Sequence, residues 1–501
     1  MNYFLGIDLG TSSIKAVLYD ENFKSIAVST RDYELIQIKN GWSEQRPEDW
    51  IQSINSILKE LKNNYSTELK KLVSIGLTGQ MHGLVMLDED NNILRPAILW
   101  NDQRTEEEIN DINRILGKEK IIEITANPAL TGFTLAKILW VQKNEPEIFE
   151  KCKHILLPKD YLRFYLSGDY ATDVSDASGM QLLDVPGRKW SEKICNTFNI
   201  DMDMLPKLYE SVESTGYLKE ELCSELGINH RVVIAAGAGD NAAAAIGCGV
   251  VQDGETFATL GTSGVVFTQS DNIKMDAKGR IHTFCSAVPN TWHVMGVTQA
   301  AGLSINWFKD NFYKDIGDNE IYEKIENDIN ESKIGSNNLI YLPYLMGERT
   351  PHLDPNIRGS FIGLSGIHKR KDLMRAVIEG ITFSLRDCIS IIREIGLKID
   401  NIYLTGGGAN NKTWIQMIAD NFNCTIEKMQ EGGGTTLGAA MLSSIACGKY
   451  NDLKEISDKF IFYDKKYIPN ETSTDEYSKY YKVYKKLYPA LKDINKELIE
   501  L

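Results

Sequence analysis

Short apolar runs separated by polar, glycine-containing turns recur along the chain and predict the strands of an α/β protein. Two such runs flank Leu9-Gly10-Thr11-Ser12, and two more flank Leu260-Gly261-Thr262-Ser263. Because β-rich segments lie on both sides of each motif, each copy predicts a strand, a tight turn and a second strand. The copies lie about half the chain apart, so we predict two related α/β halves that face each other across a cleft.

A third glycine-rich segment follows another predicted strand. Ile402–Thr405 is followed by Gly406-Gly407-Gly408, and then apolar residues at Trp414, Met417, Ile418 and Phe422 have helical spacing. A strand, a glycine turn and a helix start allow the backbone to approach a nucleotide closely. A similar turn, Gly432-Gly433-Gly434, precedes the alanine-rich stretch Leu437–Ser443.

The length of the chain requires more than one core. It has 501 residues, of which 43% are hydrophobic, whereas a single core stops growing at about 250–300 residues. Small residues between Gly247 and Gly254 suit a hinge, although an ordinary loop has the same composition. We therefore predict domains at 1–248 and 249–501, the second ending in a tyrosine-rich helical stripe that packs against the core.

Composition narrows the classes of partner. The net charge of -14 argues against nucleic acid, which requires clustered Lys and Arg, but not against ATP, because local N–H groups can bind phosphate. The eight cysteines contain no CxxC pair and the histidines have no metal-binding spacing. The apolar window Val232–Val251 has Asp240 at its centre, and the N-terminus lacks a basic leader, so we expect a soluble, cytoplasmic protein without a membrane span.

Asp8 and the turn that follows it are a candidate phosphate and metal site. A carboxylate at a strand end can hold Mg²⁺ through water, while a hydroxyl-bearing turn donates to phosphate and Lys15 supplies positive charge. The alternative is a surface hairpin in which Asp, Gly and Thr only build the turn.

Asp240 is the sharper candidate. It follows the apolar run 232–239 and opens the small-residue helix Asn241–Gly247. Main chain fixes its direction there and its small neighbours leave room for a ligand, which suits a general base. An Asp at a helix start is also a common N-cap, and one residue can have both roles.

Two further segments carry polar groups behind predicted strands. Gly79-Gln80-Met81-His82-Gly83 follows Val73–Leu77, and its glycines let the backbone press against a ligand, although a lone His is more often structural. Gly347-Glu348-Arg349-Thr350-Pro351 forms either a lid or a plain loop that leads into a helix. The P-loop and protein-kinase motifs are absent.

Longer motifs resemble a known family. The paired Gly-Thr-Ser hairpins with Gly406–Ala409 resemble the actin-like ATPase (ribonuclease H-like) fold, which sugar kinases share with actin and heat-shock ATPases. Two patterns narrow the likeness to the FGGY carbohydrate kinases, namely Gly132-Phe133-Thr134 with Lys137 and Leu139-Trp140-Val141, and Gly359–Leu364 followed by Arg375–Gly380. The likeness runs from Tyr3 to about residue 447 and implies a two-domain α/β fold with a ligand cleft between the halves.

The resemblance also implies an activity, which is ATP-dependent phosphorylation of a small sugar with Mg²⁺. Within the family, segments such as 80–83 are most similar to members that phosphorylate D-xylulose. Asp240 would take the proton of the terminal hydroxyl, and Asp8 would act near Mg²⁺. Implied sugar contacts are Met81, His82, Asp240 and Asn241, and implied ATP contacts are Thr11, Ser12, Lys15, Thr262, Gly302, Asn306, Gly407, Gly408 and Asn411. As an assembly state, the resemblance allows a homodimer.

Other functions stay open at this point. A kinase of ribulose, gluconate or glycerol would share every motif but a few sugar-contacting side chains. An actin-like or chaperone-type ATPase would share the hairpins without needing His82 or the glycines around Asp240. A catalytically inactive sugar sensor would have no reason to keep Asp8 and Asp240.

Overall fold

A computed structural model describes residues 2–317, 319–430 and 433–501, and its first half is built on one mixed sheet. The strands of this sheet are β1 (Tyr3–Leu9), β2 (Ser13–Asp20), β3 (Ser25–Asp32), β4 (Leu72–Gly79), β5 (Ser214–Tyr217), β6 (Val233–Ala235) and β7 (Ala238–Gly239). Their order is β5-β6-β4-β1-β2-β3, and β7 continues beyond β6 along β4.

The second half repeats this arrangement. Its strands are β8 (Thr256–Leu260), β9 (Gly264–Ser270), β10 (His282–Cys285), β11 (Trp292–Thr298), β12 (Asn401–Thr405), β13 (Thr425–Met429) and β14 (Tyr463–Tyr467), in the order β10-β11-β9-β8-β12-β13-β14. In both sheets a hairpin, β1–β2 or β8–β9, is followed by two parallel strands and then an antiparallel one. The predicted repeat of two α/β halves is therefore confirmed.

Helices and small sheets cover these two sheets. The helices are α1 (Pro47–Asn64), α2 (Ser66–Leu69), α3 (Glu106–Ile115), α4 (Lys118–Thr125), α5 (Thr134–Asn144), α6 (Pro146–Lys151), α7 (Pro158–Ser167), α8 (Val174–Ala177), α9 (Glu192–Thr197), α10 (Glu220–Leu226), α11 (Asp240–Gly247), α12 (Gly302–Phe312), α13 (Ile321–Glu331), α14 (Arg370–Glu394), α15 (Lys412–Phe422), α16 (Thr435–Ala446), α17 (Leu453–Phe460), α18 (Glu471–Tyr484) and α19 (Leu487–Glu500). The two-stranded sheets pair Glu44–Gln45 with Ala97–Ile98, Val85–Leu87 with His154–Leu156, Ala171–Asp173 with Lys207–Tyr209, Leu183–Asp184 with Lys189–Trp190, and Ile340–Leu342 with Ser360–Ile362.

Helix α16 joins the two halves, because it comes late in the chain but lies on the first sheet. A Cβ on Gly76 of β4 would lie 1.8 Å from the carbonyl oxygen of Ala439, and a Cβ on Gly438 would lie 1.8 Å from that of Ala243. Only glycine permits such close approach of strand to helix and of helix to helix. One buried cluster accordingly contains side chains from both sheets and from α16.

The predicted elements are present, with longer boundaries than the apolar runs indicated. Helix α11 begins at Asp240 with Gly239 as its N-cap, so the alternative of Asp240 as an N-cap is wrong. The tyrosine stripe is divided between α18 and α19, and Tyr477, Tyr481 and Tyr484 are buried in the second core as predicted. Gly432 lies outside the described residues, and the domain division at 248 and 249 stays a prediction. Within the described ranges, no helix combines the length and apolar character needed to cross a membrane.

Candidate active site

Asp8 lies at the end of β1, where the chain turns into the first hairpin. Its carboxylate accepts a hydrogen bond of 2.6 Å from the Thr435 hydroxyl at the first residue of α16. Burial raises the pKa of Asp8, while the Thr435 hydrogen bond and the charge of Lys15 act in the opposite direction. The late helix α16 therefore helps to build a site that begins on the first strand.

Asp240 is held in place by its own helix. Its Oδ1 accepts hydrogen bonds from the backbone N–H of Asn241, at 2.6 Å, and from the Asn241 side-chain amide, at 2.8 Å. Burial raises the pKa of Asp240 to about 7, and the nearby Asp8 carboxylate contributes because two like charges resist ionising together. A carboxylate with this pKa can accept a proton near neutral pH.

A buried ion cluster supports the backbone that leads to Asp240. The ammonium of Lys159 lies 3.0 Å from Asp173, and both side chains are fully buried. The other oxygen of Asp173 accepts the Ser175 hydroxyl at 2.5 Å, and that hydroxyl oxygen accepts the N–H of Gly239 at 3.1 Å. This chain of contacts fixes the residue directly before Asp240.

Met81 and His82 lie beside the segment that contains Gly239 and Asp240. Met81 packs over Gly239, where a Cβ would lie 2.9 Å from its sulfur. His82 has a left-handed backbone, with φ 67°, and its Nδ1 is 2.8 Å from the carbonyl oxygen of Gly179. Burial lowers the pKa of His82 to about 3. The imidazole is therefore neutral, Nδ1–H donates to Gly179, and Nε2 is left as a hydrogen-bond acceptor.

Lys137, on α5, fixes the backbone of His82. Its buried ammonium donates to the carbonyl oxygens of His82 and Gly132, both at 2.7 Å, and burial lowers the pKa of Lys137 well below its usual value. The Thr134 hydroxyl donates to the His82 carbonyl as well, at 3.0 Å. These contacts hold the strained left-handed residue.

Thr11 is turned toward Gln80 and Trp100. Its hydroxyl accepts Trp100 Nε1 at 2.9 Å and donates to Gln80 at 3.4 Å, and its carbonyl accepts the Gln45 amide at 2.6 Å. Ser12 and Lys15, by contrast, are exposed at and beyond the turn. The three predicted phosphate contacts of the first hairpin thus have different surroundings.

The predicted nucleotide residues gather around the second hairpin. The N–H of Gly302, at the start of α12, donates to Gly261 at 2.8 Å, and the N–H of Leu303 donates to Thr262 at 3.1 Å. Asn306 is exposed one turn further along α12. This brings Thr262, Gly302 and Asn306 together.

The third glycine turn packs against the same hairpin. A Cβ on Gly408 would lie 2.7 Å from Leu260 Cβ, whereas Gly407 has open space beside it. The Asn411 side-chain oxygen caps α15 by accepting the Trp414 N–H at 2.9 Å. Gly407 and Gly408 therefore lie beside the second hairpin, and Asn411 has a structural contact there.

Several site residues were not among the predicted ones. Thr435 could have been found, because a glycine turn before a helix is the same signal that identified Gly406–Gly408. Lys137 belongs to the pattern that begins at Gly132-Phe133-Thr134, but no local feature of the sequence indicates a buried ammonium. The Lys159–Asp173 pair is separated by 14 positions along the chain, and nothing in the sequence indicates that both side chains are buried.

The fold and the site together define a two-domain sugar phosphotransferase of the actin-like ATPase architecture. The family model described as "FGGY family of carbohydrate kinases, N-terminal domain" matches residues 3–247, and the corresponding C-terminal domain matches residues 256–447. The chain belongs to the FGGY family of carbohydrate kinases.

Individual relatives agree with this assignment. The chain is 42% identical to a xylulose kinase of Bacillus subtilis over 99% of both chains. It is similar to the solved ligand-bound xylulose kinase of Lactobacillus acidophilus, with a TM-score of 0.93, 30% identity and coverage of 99% and 100% of the two chains. A gluconate kinase structure from the same organism gives a TM-score of 0.92, with 31% identity and 98% of each chain covered.

Proposed function

We propose that the chain transfers the γ-phosphoryl group of ATP to the terminal hydroxyl of D-xylulose and so forms D-xylulose 5-phosphate. The observation that carries the proposal is the full-length similarity to xylulose kinases in a chain whose site joins Asp240, Met81 and His82. ATP is the substrate that supplies the phosphoryl group in this family. Gluconate is the second candidate acceptor, because the gluconate kinase is about equally similar in structure.

The proposed chemistry is a single in-line transfer. The terminal oxygen of the sugar forms a bond to the γ-phosphorus as the bond from that phosphorus to the β–γ bridging oxygen breaks, and ADP leaves. Asp240 accepts the hydroxyl proton, for which its pKa of about 7 is suited. The neutral His82 accepts a hydrogen bond from another sugar hydroxyl through Nε2, and Asn241 orients the carboxylate.

Asp8 and its surroundings fit a magnesium ion. The Asp8 carboxylate accepts the Thr435 hydroxyl, and its charge raises the pKa of the nearby Asp240; hard oxygen ligands of this kind suit Mg²⁺. When bound, Mg²⁺ would neutralise charge on the phosphate oxygens. Asp8 would hold it, directly or through water.

The nucleotide is proposed to bind the second half. Thr262 and Gly302 would meet the phosphates with Ser12, Lys15 and Thr11 opposite them, since hydroxyl and ammonium groups donate hydrogen bonds to phosphate oxygens. Asn306, Gly407, Gly408 and Asn411 would contact the adenosine. We propose the cytoplasm as the location of the protein. We also propose that the chain forms a homodimer, and light scattering of the purified chain tests this assembly.

The test is ADP release, coupled to a spectroscopic readout, with D-xylulose, D-ribulose, L-ribulose, gluconate, glycerol and no sugar. Fast turnover with D-xylulose alone is expected, and Asp240→Asn should lower it by about 10²–10⁴. Asp475→Asn, an exposed carboxylate on α18, is the matched control. Turnover with gluconate alone would replace the proposed acceptor. ADP release that needs no sugar would favour the actin-like or chaperone-type ATPase.

A further inference from the structure

Arg349 is a cationic side chain at the edge of the site that the proposed mechanism does not use. Among the described residues, its guanidinium makes no hydrogen bond and no ion pair, although burial lowers the pKa of the side chain. A half-buried guanidinium without a partner is rare, because desolvating the charge is costly unless hydrogen-bond acceptors compensate.

The backbone of Arg349 is held firmly by the second half of the molecule. Neighbouring Glu348 accepts hydrogen bonds from the Thr298 hydroxyl at 2.7 Å and from the N–H groups of Gln299 and Arg349 at 3.0 and 2.8 Å. The N–H of Thr350 donates to the carbonyl of Val297 on β11 at 3.0 Å. The segment is therefore a rigid support rather than a loose loop.

The guanidinium of Arg349 points across to the first half. A Cβ on Gly132 would lie 3.6 Å from Nη2 of Arg349 and 2.7 Å from the carbonyl oxygen of Trp100. Gly132 precedes Phe133, whose ring lies 4.6 Å from that of His82. Arg349 thus comes from one half and ends beside the His82 segment of the other.

The charge of Arg349 acts on two imidazoles of the site. Its charge lowers the pKa of both His82 and His282, whereas the pKa of Asp240 responds to burial, to Asp8 and to Asn241. Arg349 is therefore on the His82 side of the site, in agreement with its approach to Gly132.

We propose that Arg349 is a specificity-determining residue that donates hydrogen bonds to the carbonyl end of the ketose, at O1 and O2. This inference rests on the proposed function, in which the opposite end of the sugar faces Asp240. A guanidinium presents several donors in a fixed plane and suits a carbonyl oxygen beside a hydroxyl. Because Arg349 belongs to the second half, binding of this end of the sugar also connects the two halves.

The experiment compares wild type, Arg349→Met and Arg349→Lys on D-xylulose. A lost charge-assisted hydrogen bond predicts that Arg349→Met raises the KM for D-xylulose about 10- to 100-fold. The kcat and the KM for ATP should stay within about threefold, which also shows that the variant is folded. Arg349→Lys should recover part of the loss. Arg358→Met is the matched control, because Arg358 is exposed and bonds only to backbone carbonyls nearby.

One analogue locates the contact. 1-Deoxy-D-xylulose lacks O1, so the penalty of Arg349→Met should be smaller with it than with D-xylulose. An equal penalty on both sugars, a rise in the KM for ATP instead, or no effect would overturn the proposal. If wild type prefers gluconate, the proposed substrate fails, and the same comparison on gluconate tests Arg349: an unchanged KM refutes a contact with the sugar.

Discussion

Replacing Lys137 by Met tests how the His82 segment is held. Met keeps the aliphatic part of the side chain and removes the ammonium, which donates at 2.7 Å to both His82 and Gly132. We expect two effects: a lower stability of the first half, and weaker sugar binding.

The size of both effects depends on which carbonyl groups lose the hydrogen bond from Lys137. The carbonyl of His82 keeps the Thr134 hydroxyl at 3.0 Å, so its loss is partial. The carbonyl of Gly132 loses the Lys137 donor, and leaving one buried acceptor unsatisfied costs about 1–3 kcal/mol. Loss of the Lys137 contact should let the backbone of His82 move, which displaces its imidazole. We expect this to raise the KM for the sugar roughly tenfold, which corresponds to about 1.4 kcal/mol.

The assay pairs urea denaturation with sugar kinetics, and the control is Lys143→Met on the same helix. Lys143 pairs with Glu107 at the surface, with 52% and 79% of the two side chains exposed, so this variant should behave as wild type. If Lys137→Met matches Lys143→Met in both the denaturation midpoint and the KM for the sugar, the supporting role of Lys137 is refuted.

Three further predictions concern the carboxylates and a close contact. The kcat/KM for the sugar should fall as pH drops below about 7, because Asp240 must be deprotonated to accept a proton; a flat profile from pH 5 to 8 would contradict its role. Asp8→Asn should reduce turnover and, in the enzyme without Mg²⁺, lower the pKa of Asp240 in an NMR titration, since the charge of Asp8 raises that pKa; an unchanged pKa argues against this repulsion. Gly179→Ala places a Cβ 2.3 Å from Nδ1 of His82 and should raise the KM for the sugar, whereas Gly366→Ala, with nothing within 4 Å, should leave it unchanged.

Local pattern predicted the parts of the fold that depend on local chemistry. Apolar runs and the glycine turns at Gly10 and Gly261 identified both hairpins, because two β-rich segments joined by a tight turn favour an antiparallel hairpin over other structures. The position of Asp240 at the end of an apolar run was sufficient to single it out. Its exact place at the first helical residue was missed, because Gly239 also suits an N-cap.

Long-range packing was not predictable in this way. Thr435 reaches Asp8 across 427 positions of the chain, and Lys137 is buried only because α5 lies beneath the His82 segment. Such contacts depend on how helices and strands pack against one another. The hydrophobic periodicity of the sequence carries no information about this packing. The resemblance to the family supplied the proposed roles of residues but not the interactions that hold them.

The position of α16 has a consequence for how the protein is made. During synthesis, β1 and β4 emerge hundreds of residues before the helix whose backbone presses on Gly76 and whose first residue bonds Asp8. The apolar face of the first sheet that α16 covers therefore stays exposed until α16 has emerged from the ribosome. A fragment that ends at residue 248 should consequently aggregate or bind chaperones, and co-expression of the remaining chain should restore its solubility.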